Sequence, residues 1–270
     1  MSDILKVAVI QMDCCCGNVR SNLEKAGALL KEAKAAGAEL AVLPELFNVG
    51  YELEMLKVLE YNYDETFHEI SRLSKELNMY IVAGVLEKLN HKYYNSALVF
   101  DNQGNMVDSY KKINLFPLGS EKEIFEPGVE PISFNLGHIK FGVMICYDIR
   151  FPELGRRYFQ EGCDALLVAS AFPLARQEHW NTLLRARAIE NQSYVLAANR
   201  CGMDGKTSFA GNSCIVDPWG NVTGALDSLQ EAAVVQTMDL KECSSVRALF
   251  PIRADKQRLD SVLSINKKRE

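Results

Sequence analysis

At 270 residues, with 48% apolar and 24% charged side chains, the chain is long enough to bury a sizeable core and has an ordinary globular balance. Its formal charge of −5 is spread along the sequence, which excludes the basic stripe that nucleic-acid binding requires. No apolar run approaches the length of a bilayer span, and the opening "MSDILKVAVIQMD" carries too short an apolar stretch for a signal peptide.

Short apolar strands alternate with amphipathic helices from the start. "KVAVIQM" reads as a buried strand, followed by a helix with Val19, Leu23, Ala26, Leu30 and Ala33 on one face that stops near Gly37. "ELAVLPE" is the next strand, and Asp64 is expected to open a helix carrying Phe67, Ile70, Leu73 and Leu77. "MYIVAGVLE" follows, then "NSALVFDNQGNMVDSYKK", two strands joined by a Gly-containing turn. The second half repeats the order: the strand "KFGVMIC", the helix "PELGRRYFQEG" with Pro near its start and Gly at its end, and the strand "DALLVASAF". After the helix "EHWNTLLRARAIENQ" come the strand "SYVLAANR", a hairpin on "SCIVDPWGNVTGAL" and a last strand, "AAVVQTMDL".

Two such halves, each a sheet with helices on its outer face, pack best as an α-β-β-α sandwich of four layers around one core. No Pro/Gly/Ser-rich linker separates them, so residues 1–270 are expected to form a single domain. The segment from about residue 241 is polar apart from "VRALFPI" and is expected to wrap over the body or reach a partner subunit. Eight cysteines without a leader point to free thiols in a reducing, cytoplasmic setting. The run Cys14-Cys15-Cys16 lacks C-x-x-C spacing, and adjacent positions cannot all turn toward one ion, so it reads as unliganded.

Reactive groups in sheets of this kind gather outside the carboxyl ends of strands. Three strand ends carry ionisable residues: Glu45 after "AVLP", Lys112 at the end of "VDSYKK", and Cys146 after "GVMI". A thiol is a poor nucleophile until a base removes its proton, and an ammonium can stabilise an oxyanion, so the three types together suit attack on a carbonyl carbon. Each also has a plain alternative, as a solvated loop acid, a surface lysine or a packed cysteine.

Their joint context resembles the nitrilase superfamily of carbon–nitrogen hydrolases along essentially the whole chain. "LPELFNVGY" resembles the segment around that family's catalytic glutamate, "YKKINLFP" its lysine motif, and "GVMICYDIRFPE" its cysteine motif. The lysine motif departs from the usual pattern, with Lys111 in place of Arg and Asn114 in place of His. The resemblance implies Cys146 as nucleophile, Glu45 as general base and Lys112 with the backbone N–H of Tyr147 as oxyanion donors. It also implies a supporting role for Glu121, which lies six residues before the Pro-Gly of "EKEIFEPG", although a surface acid would read the same. The fold it implies is the four-layered sandwich, commonly paired into homodimers or larger assemblies, with no cofactor and no metal.

Tyr147-Asp148 after the cysteine looks like the amidase branches, and "CYDIRF" is similar to the omega-amidases, which act on terminal amides of 2-oxo dicarboxylic acids. N-carbamoyl amino acid hydrolases also place an Arg at the position of Arg150, whose guanidinium suits a carboxylate. The expected partners are therefore a small carboxylate-bearing amide, or alternatively a ureido acid, and water. A structural ion pair of Arg150 with Glu153 or Asp148 stands as the alternative use of that side chain. Phe172 and Tyr51 are candidate pocket walls, equally readable as core, while His179 and Trp180 read as packing residues. A non-catalytic scaffold is the rival of another class, and it would be expected to have lost one of the three reactive residues.

Overall fold

The computed structural model describes residues 3–56, 59, 62–205 and 207–266. The amino-terminal half runs β1 (Ile4–Gln11), α1 (Val19–Ala35), β2 (Leu40–Val42), α2 (Leu53–Leu56), α3 (Tyr63–Glu76), β3 (Tyr80–Leu89), β4 (Lys92–Phe100), β5 (Met106–Lys111) and α4 (Glu121–Ile124). The remainder runs β6 (Ser133–Leu136), β7 (Ile139–Ile145), α5 (Pro152–Glu161), β8 (Ala165–Ser170), α6 (Gln177–Asn191) and β9 (Tyr194–Asn199). Then follow the short strands β10 (Met203–Asp204) and β11 (Thr207–Ser208), β12 (Cys214–Val216), β13 (Val222–Ala225), β14 (Ala232–Asp239), α7 (Leu240–Leu249) and α8 (Ile252–Asn266).

Local chemistry sets the helix ends. The Asn18 side chain accepts from Ser21 N at 3.1 Å and caps α1, which ends before Gly37 at φ +93°. At α3 the cap is Asn62, which accepts from Asp64 N at 3.1 Å; Asp64 itself lies inside the first turn, where its charge suits the helix dipole. Pro152 begins α5 and Gly162, in the left-handed region at φ +85°, ends it.

The strands form two six-stranded sheets, ordered β14-β1-β2-β3-β4-β5 and β13-β12-β9-β8-β7-β6. Strands β1 to β3 are parallel, as are β7 to β9, because α1, α3, α5 and α6 provide the crossovers; the flanking strands are antiparallel. Alternation then sorts the side chains into layers. Val7 and Val9 of β1, Val42 of β2 and Val82 of β3 join the core shared with the second sheet. Ala8, Ile10, Ala41 and Ala83 face the other way, against Leu23 and Leu30 of α1 and Ile70 and Leu73 of α3. Each such valine, fully buried, contributes about 1.5–3 kcal/mol. On the far side Trp180, Leu184 and Ala188 of α6 cover the second sheet. The layers are helix, sheet, sheet, helix.

One strand departs from the expected division into halves. β14 lies in the first sheet, antiparallel to β1 along its whole length, from Ile4 opposite Asp239 to Gln11 opposite Ala232. In the second sheet the equivalent edge beside β7 is filled by β6, which the sequence pattern did not reveal. Both parallel triplets therefore have their first strand covered by an antiparallel neighbour, which removes an exposed edge. The segment after residue 241 begins as a helix on the body: Cys243 and Val246 are buried, and Arg247 bonds Asp164 Oδ1 at 2.9 Å.

Candidate active site

Glu45 stands beyond the end of β2, where the chain is pinned between two strands. Leu43 N donates to Val82 O at 2.8 Å, Glu45 N to Ser170 O at 3.4 Å, and Phe47 N to Gly84 O at 2.9 Å. Leu46, immediately after the acid, is in the left-handed region at φ +49°, an uncommon conformation for a residue with a branched side chain. Gly84 of β3 makes the passage possible. A Cβ there would lie 2.4 Å from Pro44 O and 2.7 Å from Glu45 Cα. The carboxylate is fully buried and bonded on both oxygens, with one position of Oε2 left over: Oε1 accepts from Asn95 Nδ2 at 2.7 Å and Lys112 Nζ at 2.8 Å, and Oε2 from Ala171 N at 2.8 Å.

Lys112 leaves β5 with its N–H bonded to Asn95 O at 2.9 Å, and its ammonium is fully buried. Besides Glu45 it donates to Glu121 Oε1 at 2.7 Å. Glu121, the first residue of α4, is also fully buried; it accepts from the Tyr51 hydroxyl on Oε1 and from Phe116 N on Oε2 at 2.8 Å. One lysine thus lies between two acids, and a tyrosine and a backbone amide orient the second acid.

Cys146 begins a 3-10 turn, Cys146–Arg150, directly beyond β7, and its own φ is +44°. A non-glycine residue held in that region at a strand-to-helix junction presents its side chain from a sharp bend, the position a serine takes in nucleophile elbows. Asp148 braces the bend. Its carboxylate accepts from Ile145 N at 3.0 Å, the Tyr110 hydroxyl at 2.8 Å, Asn114 N at 3.0 Å and Asn114 Nδ2 at 2.9 Å.

The electrostatics follow from burial. Desolvation raises the Glu45 carboxyl, Lys112 pulls the other way, and Glu121 raises it again, leaving it above the ordinary carboxylate range. Burial opposes the Lys112 ammonium, but Glu121, Glu45 and Cys146 outweigh it, so this lysine holds its proton more tightly than usual. Burial and then Glu45 push the Cys146 thiol up, while Lys112 lowers it, so the resting sulfur is protonated. A neutral thiol, an acid with raised proton affinity and a permanent cation share one neighbourhood.

That neighbourhood opens into a cavity of about 620 Å³ lined by Cys146, Tyr147, Tyr51 and Phe172, with Phe209 opposite the edge of Tyr51. Arg150 also lines it. Its guanidinium lies 5.3 Å from the Phe172 ring centre and 5.9 Å from that of Tyr147, and Nη2 is 3.2 Å from His179 Nδ1. It makes no ion pair with Asp148, whose oxygens are occupied, or with Glu153. His179 is exposed and does not pack, whereas Trp180 is buried and donates to Asn212 O at 2.9 Å. Sequence reasoning missed Asn95, Phe116 and Arg176, of which Phe116 and Arg176 line the cavity, and it named Asp148 only in the motif after the cysteine and as an alternative partner of Arg150. A second hollow of about 620 Å³, lined by Lys122, Phe125 and Phe151 among others, contains none of the three reactive groups. Among the described residues, no three His, Cys, Asp or Glu side chains are grouped to hold a metal ion, and no helix is long and apolar enough to cross a membrane.

The carbon–nitrogen hydrolase profile matches residues 6–248. The chain belongs to the carbon–nitrogen hydrolase family. This hydrolase is 36% identical over 251 residues to the 2-oxoglutaramate amidase of Bacillus subtilis, covering 92% of this chain and 96% of that one. It is 35% identical over 260 residues to the omega-amidase NIT2-B of Xenopus laevis, covering 92% and 93%. Among solved structures, Saccharomyces cerevisiae Nit3, a member of branch 10 of the nitrilase superfamily, superposes with a TM-score of 0.85 at 28% identity, over 92% of this chain and 94% of that one. The two-sheet sandwich is thus that of the nitrilase superfamily, and the hydrolase is an amidase.

Proposed function

We propose that this hydrolase cleaves the terminal amide of a small carboxylate-bearing substrate, in the manner of an omega-amidase, through a thioester on Cys146. The observation that carries the reading is the buried Glu45–Lys112 pair beside Cys146, whose side chain lines a cavity that Arg150 also lines. The names of the amidase relatives support the same substrate class.

In this mechanism Glu45 takes the thiol proton as the sulfur attacks the amide carbon, and the carbonyl π electrons move onto oxygen. The Lys112 ammonium and the Tyr147 backbone N–H hold that oxyanion, and Glu121 and Tyr51 hold the ammonium in place. When the tetrahedral species collapses the C–N bond breaks, and the nitrogen leaves as ammonia with the proton from Glu45. Water then enters, gives a proton to Glu45 and attacks the thioester; collapse expels the sulfur, which recovers the proton. Burial suits Glu45 to both tasks, because an acid with raised proton affinity is a better base when ionised. Arg150 grips the carboxylate at the other end of the substrate, and Phe172 and Tyr51 wall its apolar middle.

The test is an ammonia-release screen over a 2-oxo dicarboxylic monoamide, a plain omega-amide and a ureido acid, repeated with Cys146→Ala and Arg150→Ala. Loss of turnover in the first variant and a raised KM in the second are expected. Substantial turnover by Cys146→Ala would refute the thioester. The reading also includes a single-domain, cytoplasmic protein that needs no cofactor and assembles as a homodimer or larger homo-oligomer; light scattering on the purified chain tests the assembly.

A further inference from the structure

Arg176 closes the 3-10 turn Leu174–Arg176 between β8 and α6. Half-buried, it lines the cavity that holds Cys146, with its guanidinium 5.3 Å from the centre of the Phe116 ring. No carboxylate among the described residues pairs with it. Arg150 shares that property, since its side chain meets only His179 and the rings of Phe172 and Tyr147. Three arginines removed from solvent elsewhere in the fold are neutralised, Arg187 by Glu190 at 2.5 Å, Arg200 by Asp13 at 2.9 Å and Arg247 by Asp164 at 2.9 Å, whereas half-buried Arg156 lies over the Phe159 ring at 4.9 Å without a carboxylate among the described residues and lines neither cavity.

The two unpaired guanidinium groups flank one aromatic patch, for the Phe116 and Tyr147 rings are 5.3 Å apart. Partial desolvation of a cation is costly unless an anion compensates it, and although Glu52, Glu54 and Asp204 also line the cavity, no carboxylate among the described residues pairs with either guanidinium. A carboxylate has two oxygens with about four acceptor positions, enough to receive donors from two guanidinium forks together.

The geometry points to Arg176 as a second, specificity-determining contact for the anionic end of the substrate, acting beside Arg150 on the same carboxylate. The inference rests on the carboxylate-bearing amide proposed above and extends it. The pocket then selects for charge at that end with two cations, and an uncharged analogue of equal length is rejected because both guanidinium groups stay uncompensated.

The experiment measures ammonia release from an omega-monoamide acid and from its methyl ester, with wild type, Arg176→Ala, Arg176→Lys and Arg150→Ala. For Arg176→Ala, kcat/KM on the acid is expected to fall about 10–100-fold, mainly through KM, and the acid-to-ester ratio to fall by a similar factor. Arg176→Lys, which keeps the charge without the planar fork, should recover part of that ratio. An unaltered ratio in Arg176→Ala, or an equal loss on both substrates, overturns the assignment. If the ratio collapses in Arg150→Ala but not in Arg176→Ala, the Arg150 clamp stands and only the present inference fails. A wild-type ratio near one would instead overturn the carboxylate-bearing substrate itself, and this inference with it.

Discussion

Glu45 Oε1 and Lys112 Nζ lie 2.8 Å apart, each without solvent exposure, although 67 residues separate them in the chain. A buried pair of this kind does not stabilise by Coulomb attraction alone, because desolvation of both charges offsets much of the gain. What the pairing provides is a fixed place for a proton acceptor next to a cation that cannot lose its charge near neutrality.

The first prediction concerns the acid side of the pH profile. Glu45 acts only when ionised, so kcat/KM rises as pH rises through its pKa, and burial places that limb above the usual carboxylate range. Lys112 holds its proton more tightly than an ordinary lysine and therefore imposes no alkaline limb near neutral pH. A profile whose acid limb sits at the value of an exposed glutamate would contradict the assignment. Glu45→Gln is expected to lower kcat by about 10²–10⁴-fold.

Glu121→Gln tests the coupling. Removing that charge takes away one influence that raises Glu45 and the strongest one that raises Lys112. The acid limb should move to lower pH relative to wild type, accompanied by a fall in kcat as Lys112 loses an anchor. An acid limb displaced upward would show that Glu121 does not act on Glu45 in this way.

Much of this arrangement was legible in the chain, for physical reasons that differ by element. Alternating apolar runs between amphipathic helices announce layers, because a sheet and a helix must each bury one face. Glu45, Lys112 and Cys146 stand where strands give out, and that position can be read locally. The partner of β14 could not be read, since any edge strand can accept a neighbour and the choice depends on contacts across most of the chain. The bonds of Asp148 and Asn95 were equally hidden: they reach back 38 residues to Tyr110 and 50 to Glu45, and such pairings leave no periodic trace. His179 sits where the helix pattern dominates the reading, and Arg176 lies in the short turn before it, which has no periodicity to mark it.

Gly84→Ala offers a test at a distance from the reacting groups. The added Cβ would meet Pro44 O and the Glu45 Cα, both backbone atoms that cannot swing aside. The segment carrying the acid must shift, with an overpacking cost of about 1–3 kcal/mol. Turnover should fall by more than this loss of stability accounts for, as measured by activity at a temperature where circular dichroism shows the variant folded. Normal kcat in that variant would mean the segment can yield without moving the acid.

Asp148→Ala addresses the cysteine turn. It strands the donors of Ile145, Tyr110 and Asn114, at about 1–3 kcal/mol for each one left buried without a partner. Urea titration should show a clearly lower midpoint, and alkylation of Cys146 by iodoacetamide should change in rate as the bend relaxes. Wild-type behaviour in both assays would remove Asp148 from any bracing role.

The crossing of β14 into the first sheet has a consequence for synthesis. While the nascent chain is still being made, β1 waits with an open row of amide and carbonyl groups until residues 232–239 emerge, more than 220 residues later. The early half therefore cannot close its sheet before that strand is made, and a chain truncated before it should recruit chaperones or precipitate instead of settling as a half-sized folded unit.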